Sequence, residues 1–156
     1  MSMNERKTAP GAPQPLDDLA PCGLDCGRCL SHPGSPIARL ARELRAELGG
    51  FAAMAGRFAG MDPAFAAYAD FERVLDRLGG GQCTGCRSGR CLLGSCAVKD
   101  CAPAHGVRWC FQCPEFPCQR TNLPPALHER WRANNERMAA QGPEAFFAAM
   151  RAKPRY

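Results

Sequence analysis

Eleven cysteines stand in a chain of 156 residues, and their spacing is the first chemistry that the sequence offers. Three pairs are separated by two residues: Cys26 and Cys29, Cys83 and Cys86, Cys110 and Cys113. A turn of that length aims two sulfurs at one ion, while adjacent backbone amides help hold the thiolates. Disulfides suit small secreted domains, whereas thiolate metal sites suit reducing compartments. The opening MSMNERKTAPGAPQPLDD lacks the apolar stretch of a secretory signal. An odd number of cysteines would also leave one thiol over in a disulfide framework. Metal ligation in the cytoplasm is therefore the expectation.

The first cluster, Cys22-Gly-Leu-Asp-Cys26-Gly-Arg-Cys29, has the C-x3-C-x2-C spacing by which radical S-adenosylmethionine enzymes hold a four-iron cluster. Three features weigh against that enzyme class. Arg28 stands where those enzymes carry an aromatic, and only 127 residues follow Cys29, too few for a strand-rich barrel of about 200 residues. The eight-cysteine segment downstream also has no place in such a barrel. A three-thiolate site with a fourth ligand from elsewhere is the better inference. His32 lies three residues beyond Cys29 and is one candidate for that ligand, against the commoner case of a bystander imidazole. Asp25 is a candidate base beside a metal, although a loop aspartate more often satisfies backbone amides.

Residues 82–118 hold the other eight: Cys83, Cys86, Cys91, Cys96, Cys101, Cys110, Cys113 and Cys118. Two C-x2-C turns, Cys83/Cys86 and Cys110/Cys113, resemble the halves of a zinc ribbon or knuckle. Either they share one tetrahedral site, or each serves a different ion with partners from the remaining four. Cys91, Cys96 and Cys101 recur every five residues, which on a helix would set successive sulfurs roughly 140° apart. That spacing suits a loop wrapped round an ion. His105 follows Cys101 by four and is a weaker candidate; His128 sits in an expected helix without partners. Two complete four-thiolate sites in 82–118 would leave Cys22, Cys26 and Cys29 as a third, open site, and this count is favoured. The competing count lends a downstream cysteine to the trio. No phosphate loop, catalytic triad or carboxylate dyad stands out.

The elements that must position these thiols are helical. Val and Ile together number four, which argues against a sandwich, a barrel or a doubly wound sheet. Large apolar residues number only 35, so in 82–118 metal must replace a core. The expected fold is mainly α with irregular cysteine-rich metal-binding loops and small or no β-sheet. Residues 1–20 read as a disordered tail, 21–120 as a cysteine-rich domain with a helical insertion at about 35–80, and 121–156 as a C-terminal helical extension. Ser35 and Pro36 open a helix whose Ile37, Leu40, Leu44 and Leu48 share a face, stopped by Gly49-Gly50. A short helix is expected around Phe51–Phe58. Asp62-Pro63 starts another with Phe65, Tyr68, Phe71, Leu75 and Leu78 inward, and Gly79-Gly80-Gly81 ends it. Pro124-Pro125 opens a helix carrying Leu127, Trp131 and Met138; Gly142-Pro143 breaks it, and a last helix carries Phe146, Phe147 and Met150. No stretch approaches the length of a membrane span.

CGLDCGRC, then CxGC, then CxxxxCAxxxGVxxCxxCPEFPC resembles the bacterial and archaeal proteins grouped as domain of unknown function 3795. ERWRANNERMAAQGPEAFF is similar to the helical tail of that family, and the likeness covers about residues 20–150. The resemblance implies zinc binding and carries no established activity. By it, Cys22, Cys26, Cys29, Cys83, Cys86, Cys96, Cys101, Cys110, Cys113 and Cys118 fall on the family's cysteines. Cys91 departs from the family's usual C-x2-C, and His105 stands where the family commonly has Lys.

The formal charge is +5, and two four-thiolate zinc sites would bring it to about +1. Basic residues are also interleaved with acids, so no specific nucleic-acid partner and no membrane partner is expected. The leading reading is a non-catalytic zinc scaffold that presents a helical surface to another protein. The alternative is a [4Fe-4S] cluster at Cys22, Cys26 and Cys29, acting in electron transfer or redox catalysis.

Overall fold

The computed structural model describes residues 16–88 and 90–156. Its helices are α1 (Pro36–Leu48), α2 (Ala55–Ala59), α3 (Tyr68–Gly80), α4 (Val98–Ala104), α5 (Pro125–Gln141) and α6 (Pro143–Arg151). Short 3₁₀ turns lie at Leu16–Asp18, Phe51–Ala53, Pro63–Ala67, Cys86–Ser88 and Cys110–Gln112. Among the described residues, β structure amounts to two isolated bridges, Leu19 with Asp25 and Gly85 with Arg90. The protein is thus mainly α, as the scarcity of β-branched residues requires. None of these helices is long and apolar enough to cross a membrane.

Local chemistry sets the ends of α1. The Ser35 hydroxyl accepts from the Ala38 amide at 3.1 Å, Pro36 occupies the first turn, and Gly49 ends the helix at φ 50°. Its inward face differs from the expectation. Leu40 and Leu44 are exposed, and Ala38 and Ala41 are the buried positions. The reason is close approach to α3: a side chain at Gly79 would come within 3.2 Å of Arg42 Cγ. Ala41 Cβ lies 4.0 Å from the same Cβ position at Gly79, so at that crossing α1 presents a small side chain. Arg42 donates to the Gly79 carbonyl at 2.8 Å, and Arg45 pairs with Glu72 and Asp76 at 2.9 and 3.0 Å, so the two helices run antiparallel. On α3, Tyr68 and Leu75 are buried while Phe71, expected inward, is exposed. Phe51, Phe58, Phe65 and Tyr68 gather at one end, with Phe51 and Tyr68 rings 4.9 Å apart.

The insertion leaves and returns at one point. The Ser31 carbonyl accepts from both Gln82 N and Cys83 N, at 2.7 and 2.9 Å. Beside it Gly81 takes φ 63° and presses on Pro33, where a Cβ would stand 2.6 Å from the Pro33 nitrogen. That neck places Cys29 near Cys83.

The expected disordered tail needs correction at its end. Residues 1–15 lie outside the described residues, but Leu19 and Ala20 are buried. Leu19 packs with Trp109, Met138, Phe146 and Phe147, so the C-terminal helices complete the core that the cysteine-rich segment lacks. Burying such side chains contributes about 1.5–3 kcal/mol each. A second cluster joins Ala20, Cys22, Cys96, Val98 and Trp131.

Candidate metal centre

The eleven thiols are free and divide between two cavities. Cys101, Cys110, Cys113 and Cys118 line a space of about 30 Å³, closed by Val98, Phe116 and Trp131. Cys22, Cys26, Cys29, Cys83, Cys86, Cys91 and Cys96 line one of about 270 Å³, with Leu24, Leu92, Leu93, Leu123 and Leu127 around them. Trp131 stands between and lines both.

Two features of the sequence-level arrangement are therefore not found. Cys83/Cys86 and Cys110/Cys113 do not face one cavity, so the zinc-ribbon pairing gives way to the alternative in which each turn has other partners. Nor do Cys22, Cys26 and Cys29 stand alone, because the Ser31 neck carries Cys83 and Cys86 to them. Cys101 lies on α4 instead of in a loop, which turns it away from Cys96 and toward the smaller cavity.

Backbone contacts shape each turn. Cys29 N donates to Cys26 O and Cys113 N to Cys110 O, both at 3.0 Å. Gly85 N donates to Cys83 Sγ at 3.4 Å, with Gly85 at φ 93°. Buried Asn135 on α5 fixes the 110–113 turn: its Oδ1 accepts from Phe111 N at 2.9 Å while its Nδ2 donates to Trp131 O at 3.0 Å. Gln112 Oε1 accepts from both Arg108 N and Trp109 N. Cys110 N donates to Pro21 O at 3.1 Å, tying the smaller cavity to the strand of chain just before Cys22.

Electrostatics penalise an empty charge in either cavity. The neighbouring Cys86 thiol, and then burial, push the Cys26 thiol well above the ordinary range. Cys22 beside it does the same to Cys86. Burial raises Cys96 against the amides of Val98 and Lys99. It also raises Cys110 to about 11, opposed by the indole N–H of Trp131. That indole Nε1 is buried and has no oxygen or nitrogen partner. Crowded thiols that resist ionising one by one are the donor set a divalent cation would neutralise together. In composition and grouping the residues fit thiolate-bound metal. Among the described residues, no three His, Cys, Asp or Glu side chains already stand in the geometry of a closed site.

Each histidine makes a hydrogen bond to the backbone. His32 Nδ1 accepts from Gly34 N at 3.1 Å and lines neither cavity. His105 borders the smaller cavity, but its Nδ1 lies 2.9 Å from the Cys101 carbonyl and 3.6 Å from that residue's sulfur. Because a carbonyl only accepts, that nitrogen carries the proton, and the lone pair of the neutral ring lies on Nε2, 3.9 Å from Glu115 Oε1. His128, expected to lack partners, donates through Nε2 to the Cys118 carbonyl at 3.1 Å and so supports that turn.

Asp25 lines the larger cavity, but its carboxylate is taken up in ion pairs. Fully buried, it receives Arg28 at 2.8 Å and Arg151 at 2.9 Å. Burial alone would raise its carboxyl, but these two guanidinium groups outweigh that and hold it below the usual range. Arg28 also donates to the carbonyls of Met150 and Lys153, both at 2.9 Å, closing the end of α6 over the first cysteine cluster. Asn135, Trp131 and Arg151 went unnoticed as site residues in the sequence. The partners that give them roles lie far away along the chain.

A helical protein whose thiols divide four and seven between two cavities, held together by buried polar anchors, is the class that these features define. The chain belongs to the family described as Protein of unknown function (DUF3795), whose model matches residues 18–123. No curated protein and no solved structure matches the chain.

Proposed function

We propose that this protein binds metal, zinc in the first instance, through its cysteines and serves as a scaffold whose helical surface engages another protein. The observation that carries the reading is the partition of all eleven thiols into two cavities with none left outside. Four thiolates suit one tetrahedral zinc ion. Free thiols in such number fit a reducing compartment, and the reading takes the cytoplasm as that compartment. Leu40, Leu44, Phe71 and Val74 expose apolar surface on α1 and α3, which supports a protein partner. Pairs such as Arg39–Glu43 and Arg132–Glu136 interleave the surface charge, so specific nucleic acid has no place in the reading.

A second reading, an iron–sulfur cluster at Cys22, Cys26 and Cys29, draws support from the size of the larger cavity. Elemental analysis of protein purified without oxygen separates the two. Colourless protein with stoichiometric zinc supports the scaffold. A broad band near 400 nm with iron and acid-labile sulfide supports the cluster. Protein that retains no metal in either preparation overturns both.

A further inference from the structure

The larger cavity holds more thiols than one tetrahedral ion can use and about nine times the space of its neighbour. A single zinc ion there would leave three thiols idle, and so would a four-iron cluster on four of them. Two tetrahedral ions need eight bonds. Seven thiolates supply eight if one of them bridges.

The positions of the seven say which one. Cys22, Cys26 and Cys29 come from the first cluster. Cys83 lies beside Cys91 through the Gly85–Arg90 bridge, with Cys83 Sγ 3.3 Å from the Arg90 carbonyl, and Cys96 closes the same segment. Cys86 stands between these two trios. The turn that carries it abuts Cys26, since a Cβ at Gly85 would lie 3.7 Å from Cys26 Cβ. Cys86 itself lines the cavity together with both trios.

We propose that the seven-thiol cavity holds a binuclear zinc–thiolate centre, one ion on Cys22, Cys26, Cys29 and Cys86, the other on Cys83, Cys91, Cys96 and the same Cys86. The inference rests on the metal-binding reading above and goes beyond it in number, grouping and bridge. A centre of this kind carries about −3 by formal count; of the charged side chains lining the cavity, Asp25 is already paired with Arg28 and Arg151, and Arg155 supplies one positive charge. Arg155 lines the cavity and its buried Nε has no hydrogen-bond partner. The centre also gives Cys91 a ligand role.

The test uses the full chain, reduced and loaded anaerobically with zinc, then exchanged to ¹¹³Cd for NMR. The expected result is three metal ions per chain. Two cadmium resonances should split each other by scalar coupling through the bridging sulfur, and the third should be a singlet from Cys101, Cys110, Cys113 and Cys118. Cys86→Ser should abolish the coupling and lower the stoichiometry, whereas Cys101→Ser should remove the singlet and spare the coupled pair. If Cys86→Ser fails to fold, the coupling in the unsubstituted chain decides alone. Two metal ions with uncoupled resonances, or iron with acid-labile sulfide, would overturn the binuclear centre and leave metal binding standing. A chain that takes up no metal overturns the reading beneath it as well.

Discussion

Arg151 reaches back 126 residues to grip Asp25 with both prongs of its guanidinium, Nε to Oδ2 at 2.9 Å and Nη2 to Oδ1 at 3.0 Å. It binds Asp18 from the same nitrogen at 2.8 Å. The last turn of α6 is thereby fastened to the loop that presents Cys22, Cys26 and Cys29. Removing one partner of a buried pair costs about 3–5 kcal/mol when the remaining charge is left bare. Arg28 still faces Asp25, so Arg151→Met should cost less, roughly 2 kcal/mol. In the Asp25→Asn background the same replacement should cost clearly less again. A double-mutant cycle by urea denaturation measures this, and additive effects would show that the pair is not coupled.

The smaller cavity offers a separable test. Cys113→Ser should release one zinc equivalent and leave the larger cavity's metal in place, because Cys113 lines only the former. Native mass spectrometry reads the stoichiometry directly. Loss of all metal would mean that the two cavities load as one cooperative unit.

Gly23 takes φ 80°, and a Cβ there would lie 2.6 Å from Asn134 Cβ on α5. Asn134 also donates to the Gly23 carbonyl at 3.0 Å. Gly23→Ala adds backbone strain of about 1 kcal/mol to a clash that helix α5 must move to relieve, for a total on the order of 2–4 kcal/mol. Thermal unfolding of the loaded protein is the measurement. An unchanged midpoint would mean that α5 is not seated against this loop.

Chelation should separate the two halves of the chain. Residues 82–118 have few large apolar side chains to offset chain entropy, and structural zinc contributes on the order of 10 kcal/mol to small domains. Limited proteolysis with mass mapping should therefore find cuts across 82–118 after chelation, while α1 and α3, joined along their own seam, stay protected. Equal protection before and after chelation would contradict the metal dependence.

Much of the helical fold is legible in the residues themselves. Ser35-Pro36, Gly49-Gly50, Pro124-Pro125 and Gly142-Pro143 mark helix ends by local chemistry: α1 and α5 begin and end there, and α6 begins there. Which leucines face inward is not local: Leu40 and Leu44 lost that place to Ala38 and Ala41 because the neighbouring helix offers glycine. The cysteines advertise a site, but their grouping depends on the Ser31 neck, which no spacing within either cluster encodes. Asp25 looked like an ordinary loop carboxylate because its partner Arg151 lies at the other end of the chain.

The Ser31 neck has a consequence for how this chain can change. A segment that departs and returns through two adjacent amides can lengthen, shorten or be exchanged without shifting the thiols on either side. Closure entropy grows only by about 0.6 kcal/mol for each doubling of such a loop. The α1–α3 hairpin is in this sense a cartridge: the residues that would distinguish one version of the protein from another are free to vary in a part that leaves the cysteine scaffold untouched.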